Sequence, residues 1–451
     1  MRLFRAILQR LNNRHVLSLG SNVLATALSL LWYILIVRLL TIEEFGQWTV
    51  FLYAFGTADS VRTYVVQTGL IKYLSGAAKP DAQRLAGSGW AILLSISAIV
   101  VLLSIPGWLL LDQIDNPSWQ LVAKWLGLGL LAILPYNYAT WLLQVDQRFD
   151  QIIALRMVSV ICFLGLVTAL FFLDAATTER VIVAYIVSQL LTSGAAIGLG
   201  WAQLGTIAHA NWATTTRLLH FGKFSVWTGL GSTLLRNSDV FIIESMLGSA
   251  AVAIYVLPQK AIELMEIPLR SLLGTAIPTM SAHANRGEMP QVAGQMIKYA
   301  GLLTVFMLPL VLVGIALADV YVYLVGGLPY MNTNAAHITR IFLLFAFMFP
   351  IDRFLGISLD IIGRPALNMY KVIIMLLVNV VGDLLAIYLF NDVLAVAAVS
   401  IVTFLVGVTT GHLLLKQHLD YRFQDFFTVG YAECLAAWHH FLQLFKKSRP
   451  I

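Results

Sequence analysis

Charged side chains stand in the middle of long apolar runs of this chain, and their spacing limits what they can do. Asp383 has no opposite charge within one helical turn; Gly382, Leu384 and Leu385 surround it. An acid in that setting must be protonated, hydrated or paired across helices, which is the chemistry of reversible proton or cation binding. Asp383 is therefore the first candidate for ion coupling and Glu266 the second, with Asp59 and Glu263 as further candidates. The plainer reading of Asp383 is a hydrogen bond to a neighbouring helix involving Asn379. The other charges come as opposite pairs: Asp59/Arg62, Arg236/Asp239 and Lys260/Glu263 three residues apart, and Glu266/Arg270 four apart. Such spacings place both members on one helical face. Each pair then has two readings, mutual neutralisation so that the helix can insert or contact with cargo in a water-filled lumen. Taken together, the pairs favour the lumen. Glu244 and the Asp352-Arg353 dipeptide add to the same set.

The elements that must hold these groups are helices in lipid. Of the 451 residues, 59% are hydrophobic and 12% charged, against about a quarter charged in soluble domains. Mean hydropathy is +0.81. A bilayer core ~30 Å thick needs ~20 apolar residues per helix, and this chain supplies such runs repeatedly. It shows no polar–apolar alternation of the kind a barrel needs, so the expected class is all-α, a polytopic membrane protein with about twelve spans.

Candidate spans lie at roughly 16–37, 46–70, 89–111, 121–143, 152–173 and 181–203, then roughly 221–247, 250–278, 297–318, 337–358, 368–390 and 393–415. The run 320–328 is too short to cross and reads as an outer loop or half-helix. Of the 29 Lys and Arg, only Arg38, Lys124, Arg180 and Arg340 fall outside when both termini are cytoplasmic. That bias supports the topology.

The net charge of +6 follows from these basic loops and does not indicate a nucleic-acid partner. Cys162 and Cys434 are far apart and offer no disulfide framework or metal site. No cleavable leader is evident, so the first apolar run reads as a span. No Walker-type loop and no sizeable extramembrane loop with catalytic groups is present. The expectation is a non-enzyme without cofactor or metal, and with no catalytic residues.

The two halves echo each other at a shift of about 207 positions: Phe45-Gly46-Gln47-Trp48 falls on Val252-Ala253-Ile254-Tyr255, and Asp59 on Glu266. The expected organisation is a six-helix lobe over 1–205, a cytoplasmic linker over 206–220, a second six-helix lobe over 221–416 and an amphipathic cytoplasmic tail over 417–451. Parallel repeats of this kind are related by a pseudo-two-fold axis along the membrane normal. The first fifteen residues, with Leu3, Phe4, Ile7, Leu8 and Leu11 on one face, and the tail, with Phe423, Phe427, Tyr431 and Leu435, read as helices lying on the anionic leaflet.

Three elements carry a family resemblance: Gly20-Ser21-Asn22, the run Val37-Arg38-Leu39-Leu40-Thr41-Ile42-Glu43-Glu44-Phe45-Gly46-Gln47-Trp48 with its echo at Met246–Tyr255, and the turn Gly363-Arg364-Pro365. Together they resemble the multidrug/oligosaccharidyl-lipid/polysaccharide exporter superfamily. The resemblance implies two lobes forming a V around a central cavity.

Drug exporters of that superfamily usually place a coupling carboxylate in helix 1. Here helix 1 has no Asp or Glu. The lipid II flippase branch adds two C-terminal helices that this chain replaces with its tail. The Wzx-type branch fits best. It implies flipping of an undecaprenyl-diphosphate-linked oligosaccharide to the periplasmic leaflet of the bacterial inner membrane, for O-antigen, capsule or exopolysaccharide. Membrane lipids are partners under this resemblance, with a polysaccharide polymerase and other assembly proteins as candidates. Arg62, Arg236, Lys260, Arg270 and Arg353 then become candidates for holding diphosphate or acidic sugars. Two alternatives stay open, an ion-coupled exporter of small amphiphiles and a non-transporting scaffold.

Overall fold

A computed structural model describes residues 28–447 of the chain. The N-terminal amphipathic stretch and Gly20-Ser21-Asn22 lie outside the described residues. Every element among the described residues is helical. The first half comprises α1 (Leu28–Leu39), α2 (Ile42–Leu74), α3 (Lys79–Leu109), α4 (Pro117–Val145), α5 (Phe149–Phe172) and α6 (Thr178–Gly198). Then come α7 (Trp212–Leu247), α8 (Ser249–Asn285), α9 (Met289–Ala316), α10 (Ala318–Gly326) and α11 (Leu328–Met331). The chain continues with α12 (Ala335–Ala346), α13 (Phe349–Ile361), α14 (Pro365–Phe390), α15 (Val393–Lys416) and α16 (Asp425–Lys447).

Seven of these (α3, α4, α5, α6, α9, α14 and α15) are long and apolar enough to cross a membrane, and α12–α13, bent by 46°, make an eighth. Pro350 at the start of α13 accounts for the bend, since it cannot donate to the preceding turn. α2, α7 and α8 are longer still, at 33, 36 and 37 residues. They fall outside the strictly apolar set because they carry the mid-helix charges. With α1 they complete the expected twelve. The chain is thus a multi-pass integral membrane protein.

Two compact units form, Met1–Thr233 and Leu234–Ile451, and the division falls within α7. Within the stretch 206–220, the 3-10 helix Leu204–His209 ends and α7 begins at Trp212. Local sequence explains the helix starts. Thr41 and Glu44 cap α2 reciprocally, with Glu44 N donating to Thr41 Oγ1 at 3.2 Å and Thr41 N to Glu44 Oε2 at 3.0 Å. Asn116 caps α4 and Asp392 caps α15 through their side-chain oxygens. The sharp turn between α7 and α8 uses Gly248 at φ +84, a conformation costly for residues with a Cβ. Gly363 at φ +77 does the same before α14.

In the first unit, Trp48, Phe51, Phe55, Phe163 and Tyr185 form one aromatic cluster. Trp90 and Tyr138, with centroids 4.5 Å apart, form a second. In the second unit Tyr255 packs edge-on to Phe342 at 5.2 Å, and Phe345, Phe349 and Phe404 continue the core.

The tail helix α16 is docked along α9. A Cβ at Gly430 would lie 2.3 Å from the Gly301 carbonyl oxygen, so the two backbones cross where neither residue has a side chain. Lys298 and Glu433 add an ion pair at 3.1 Å. Gly430→Val should force the helices apart at a cost of roughly 1–3 kcal/mol, the range for overpacking. Hydrogen exchange should then show α16 losing protection while α2–α6 keep theirs.

Candidate functional site

Two polar centres occupy the helical units, one in each. In the second unit, α7 supplies Ser238 and Asp239, α8 supplies Tyr255, and α14 supplies Asn379 and Asp383. All five are buried, Asp383 completely and Asp239 to 7% exposure. Asn379 and Asp383 are four residues apart and share a face of α14. Ser238 Oγ donates to Asn379 Oδ1 at 3.0 Å, and Tyr255 donates its hydroxyl to Asp239 Oδ2. The Asp239 and Asp383 carboxyls adjoin each other, with Asn379 beside Asp239 and Ser400 beside Tyr255.

Among the described residues, no Lys or Arg forms an ion pair with either acid. Neither Asp383 oxygen, nor Asp239 Oδ1, has a hydrogen-bond donor among them. Two adjoining carboxylates sealed from water repel strongly. A bound proton or monovalent cation relieves that repulsion, and the acids, the amide and the hydroxyls supply the oxygen ligands it would take.

The helical spacing predicts Arg236 as the partner of Asp239, and the structure corrects this. Arg236 is exposed, whereas Asp239 is turned inward to Tyr255 and Asp383. Three residues along a helix allow a meeting but do not require one. Packing against α8 and α14 decided which way Asp239 points.

The first unit's centre is built on α2. Arg62 is 1% exposed. Its guanidinium donates from Nη1 to Ser97 Oγ at 2.9 Å and to the Leu130 carbonyl at 2.7 Å, and from Nε to Asp59 Oδ1 at 3.1 Å. Asn137 Nδ2 donates to Asp59 Oδ2 at 2.9 Å. Arg62 therefore ties α2 to α3 and α4, and most of its donors are engaged within the unit. Asp59 keeps partial exposure at 20% of its side chain.

The remaining candidates lie along α8. Lys260 pairs with Glu263 at 2.8 Å and Arg270 with Glu266 at 2.6 Å, as their spacings allow. These groups stay open: Arg270 is 68% and Glu263 54% exposed at the side chain. They span three turns in the middle of a 37-residue helix. Arg353 on α13 is exposed, and no ion pair joins it or Arg236 to a carboxylate among the described residues. Glu244 is buried and accepts from Ser249 at 3.1 Å.

Lys371 counts by sequence as a cytoplasmic-side lysine at the start of the span 368–390, not as a site candidate. It is instead buried in α14 and pairs with Asp352 at 2.5 Å, donating also to the Asp352 carbonyl at 3.0 Å. Gly356, Gly407 and Gly411 surround this pair, and a Cβ at Gly407 would come 3.0 Å from Asp352 Oδ1. The small residues on α13 and α15 were the available signal. Tyr255 gave none.

Comparison with known proteins follows from this geometry. A search of the curated proteins by sequence finds no match. Among solved structures, the fold is similar to "Lipid II flippase MurJ, inward closed conformation" (TM-score 0.71, 13% identity, 95% of this chain and 93% of that one). It is also similar to an inward-facing multidrug resistance MATE family transporter of the MOP superfamily (TM-score 0.69, 13% identity, 94% and 96%). A MOP superfamily transporter from Pyrococcus furiosus matches at TM-score 0.59 (11% identity, 88% and 93%). At such identities the likeness concerns the fold. The family model "Polysaccharide biosynthesis protein" matches residues 13–283, more than half the chain. With that match, the chain belongs to the polysaccharide biosynthesis protein family, and its fold is that of the transporters above.

Proposed function

We propose that this protein is a flippase that carries a polyprenyl-diphosphate-linked oligosaccharide from the cytoplasmic to the outer leaflet of a bacterial inner membrane, by alternating access. Both termini are cytoplasmic in this reading. The observation that carries it is the row of charges on α8, with Glu263 and Arg270 exposed and Lys260 and Glu266 partly so. A charge facing hydrocarbon at mid-helix costs at least ~2.5–3.5 kcal/mol, so that face borders water. A hydrated, mixed-charge path suits a sugar headgroup while the polyprenyl tail stays in lipid. The family description and the likeness to a lipid II flippase support the cargo class. Arg353 and Arg236, exposed and without carboxylate partners among the described residues, are the cations assigned to the diphosphate. Asp239 and Asp383 hold the coupling cation.

Flipping of a fluorescent polyprenyl-diphosphate sugar in proteoliposomes tests this. Wild-type protein should move the label between leaflets, faster under an imposed Na+ or H+ gradient. Arg353→Gln should raise the half-saturating lipid concentration by about tenfold, the loss of one charge-assisted hydrogen bond. Export of amphiphilic dyes without lipid movement would instead establish the drug-exporter alternative. Neither activity, from folded protein, would establish the scaffold.

A further inference from the structure

A cup of about 650 Å³ opens where α2 ends and α7 begins, lined by Tyr73, Trp212, Thr216, Arg217, His220 and Phe221. Close backbone packing sets its walls. A Cβ at Gly222 would lie 2.3 Å from the Val65 carbonyl oxygen, so α7 meets α2 at that point. Tyr73 and Phe221 then pack edge-to-face with centroids 5.7 Å apart.

Two cations rest on this aromatic pair. Arg217 Cζ sits 4.1 Å from the Tyr73 centroid, and Lys72 Nζ sits 4.4 Å from the Phe221 centroid. Cation–π contact fixes their position. It leaves their charge in place, and neither pairs with a carboxylate among the described residues. Arg217 lines the cup and Lys72 rests on Phe221, which forms its wall, so an anion at Arg217 is favoured by both charges.

The rim of the cup is apolar and deliberately displayed. Trp212 is 81% exposed at the cup, and the connection leading to it from α6 also exposes Leu199, Leu204 and Ile207. Their display does not come from a loose loop. The connection from α6 to α7 is clamped on α3, where Trp90 Nε1 donates to the Ala202 carbonyl at 2.9 Å and Asn211 N donates to Ser88 Oγ at 3.2 Å. At Gly87 the approach is close enough that a Cβ would meet Thr206 O at 2.1 Å. A rigid connection that turns Leu, Ile and Trp outward beside Lys, Arg and His has the composition of a membrane interface, where tryptophan sits at headgroup level.

We propose that this cup binds the phosphate of an anionic phospholipid of the adjoining leaflet, held by Arg217 with the charge of Lys72 added from beside the Phe221 wall, and with Trp212 against its glycerol and upper acyl chains. The site belongs to the first unit alone and is independent of the cargo assigned above. It seats a resident lipid where α2 and α7 meet.

Native mass spectrometry of the full-length protein in detergent, titrated with phosphatidylglycerol, phosphatidylcholine or inorganic phosphate, tests the site. Wild type should retain one tightly held phosphatidylglycerol. Lys72→Gln and Arg217→Gln should each weaken it by about fivefold, and the double variant by about twenty-fivefold, as expected for basic groups near an anionic surface. Trp212→Ala, which removes no charge, should also weaken it. All three positions of change are on the surface, so melting curves should coincide with wild type. Retention of phosphatidylglycerol by the double variant at wild-type strength overturns the proposal. So does equal retention of phosphatidylcholine, or displacement of the lipid by inorganic phosphate at matching concentrations.

Discussion

Asp383→Asn should remove gradient-driven transport while leaving the protein folded. Asp383 is sealed from solvent beside Asp239, with neither oxygen paired to a donor among the described residues. The only group the two acids can share productively is a cation that comes and goes. Asparagine keeps the shape and removes the charge that binds it. Coupling between an ion and a transported ligand is typically worth 5–150-fold, so the gradient-dependent rate should fall by about a hundredfold. Asp239→Asn should do the same, because the pair acts as one site. Thermal stability without the cation should rise in both variants, since repulsion between buried carboxylates disappears. Flipping under Na+ and pH gradients, with melting curves at matched ion concentrations, measures both. Wild-type gradient dependence in Asp383→Asn would remove the acid pair from coupling.

The second large effect belongs to Arg62. Arg62→Met leaves Asp59 without its cation and leaves Ser97 and the Leu130 carbonyl without their donor in the middle of the first unit. Breaking a buried ion pair on one side costs ~3–5 kcal/mol. The expected result is a sharp loss of folded protein, with the second unit less affected. Arg62→Lys should not rescue it, because a single ammonium cannot reach acceptors on α2, α3 and α4 in the fork geometry of a guanidinium. Asp59→Asn combined with Arg62→Met should recover part of the stability by removing the stranded charge. Thermal unfolding in detergent decides this. If Arg62→Lys unfolds normally and only the half-saturating concentration of lipid-linked sugar rises, Arg62 contacts cargo rather than holding the unit together.

Spacing along the chain anticipates some of these side-chain contacts and misses others. The α8 pairs form as their three- and four-residue spacings allow, because both partners of each sit on one face of the helix. The Asp59/Arg62 pair forms too, but the spacing is silent on Ser97, Leu130 and Asn137, which lie on other helices. Arg236/Asp239 has the same spacing and does not pair, since Tyr255 and Asp383 draw Asp239 inward. Lys371 counts as a cytoplasmic-side lysine by sequence and is among the most buried charges. Its partner Asp352 lies on α13, across the turn at Gly363 that leads into α14.

Hydropathy determined the solvent, the helical class and the number of crossings by itself, because each depends only on local runs of residue types and on the need to satisfy backbone groups in lipid. Tertiary structure alone decided which charges ended up in pairs and which acids faced each other. It decided equally that Lys72 and Arg217, 145 positions apart in the chain, share one aromatic pair. Those outcomes turn on side chains from different helices meeting at ångström precision. Contacts of that kind arise from close helix crossings such as Gly222 on Val65 and Gly430 on Gly301, which no local pattern encodes.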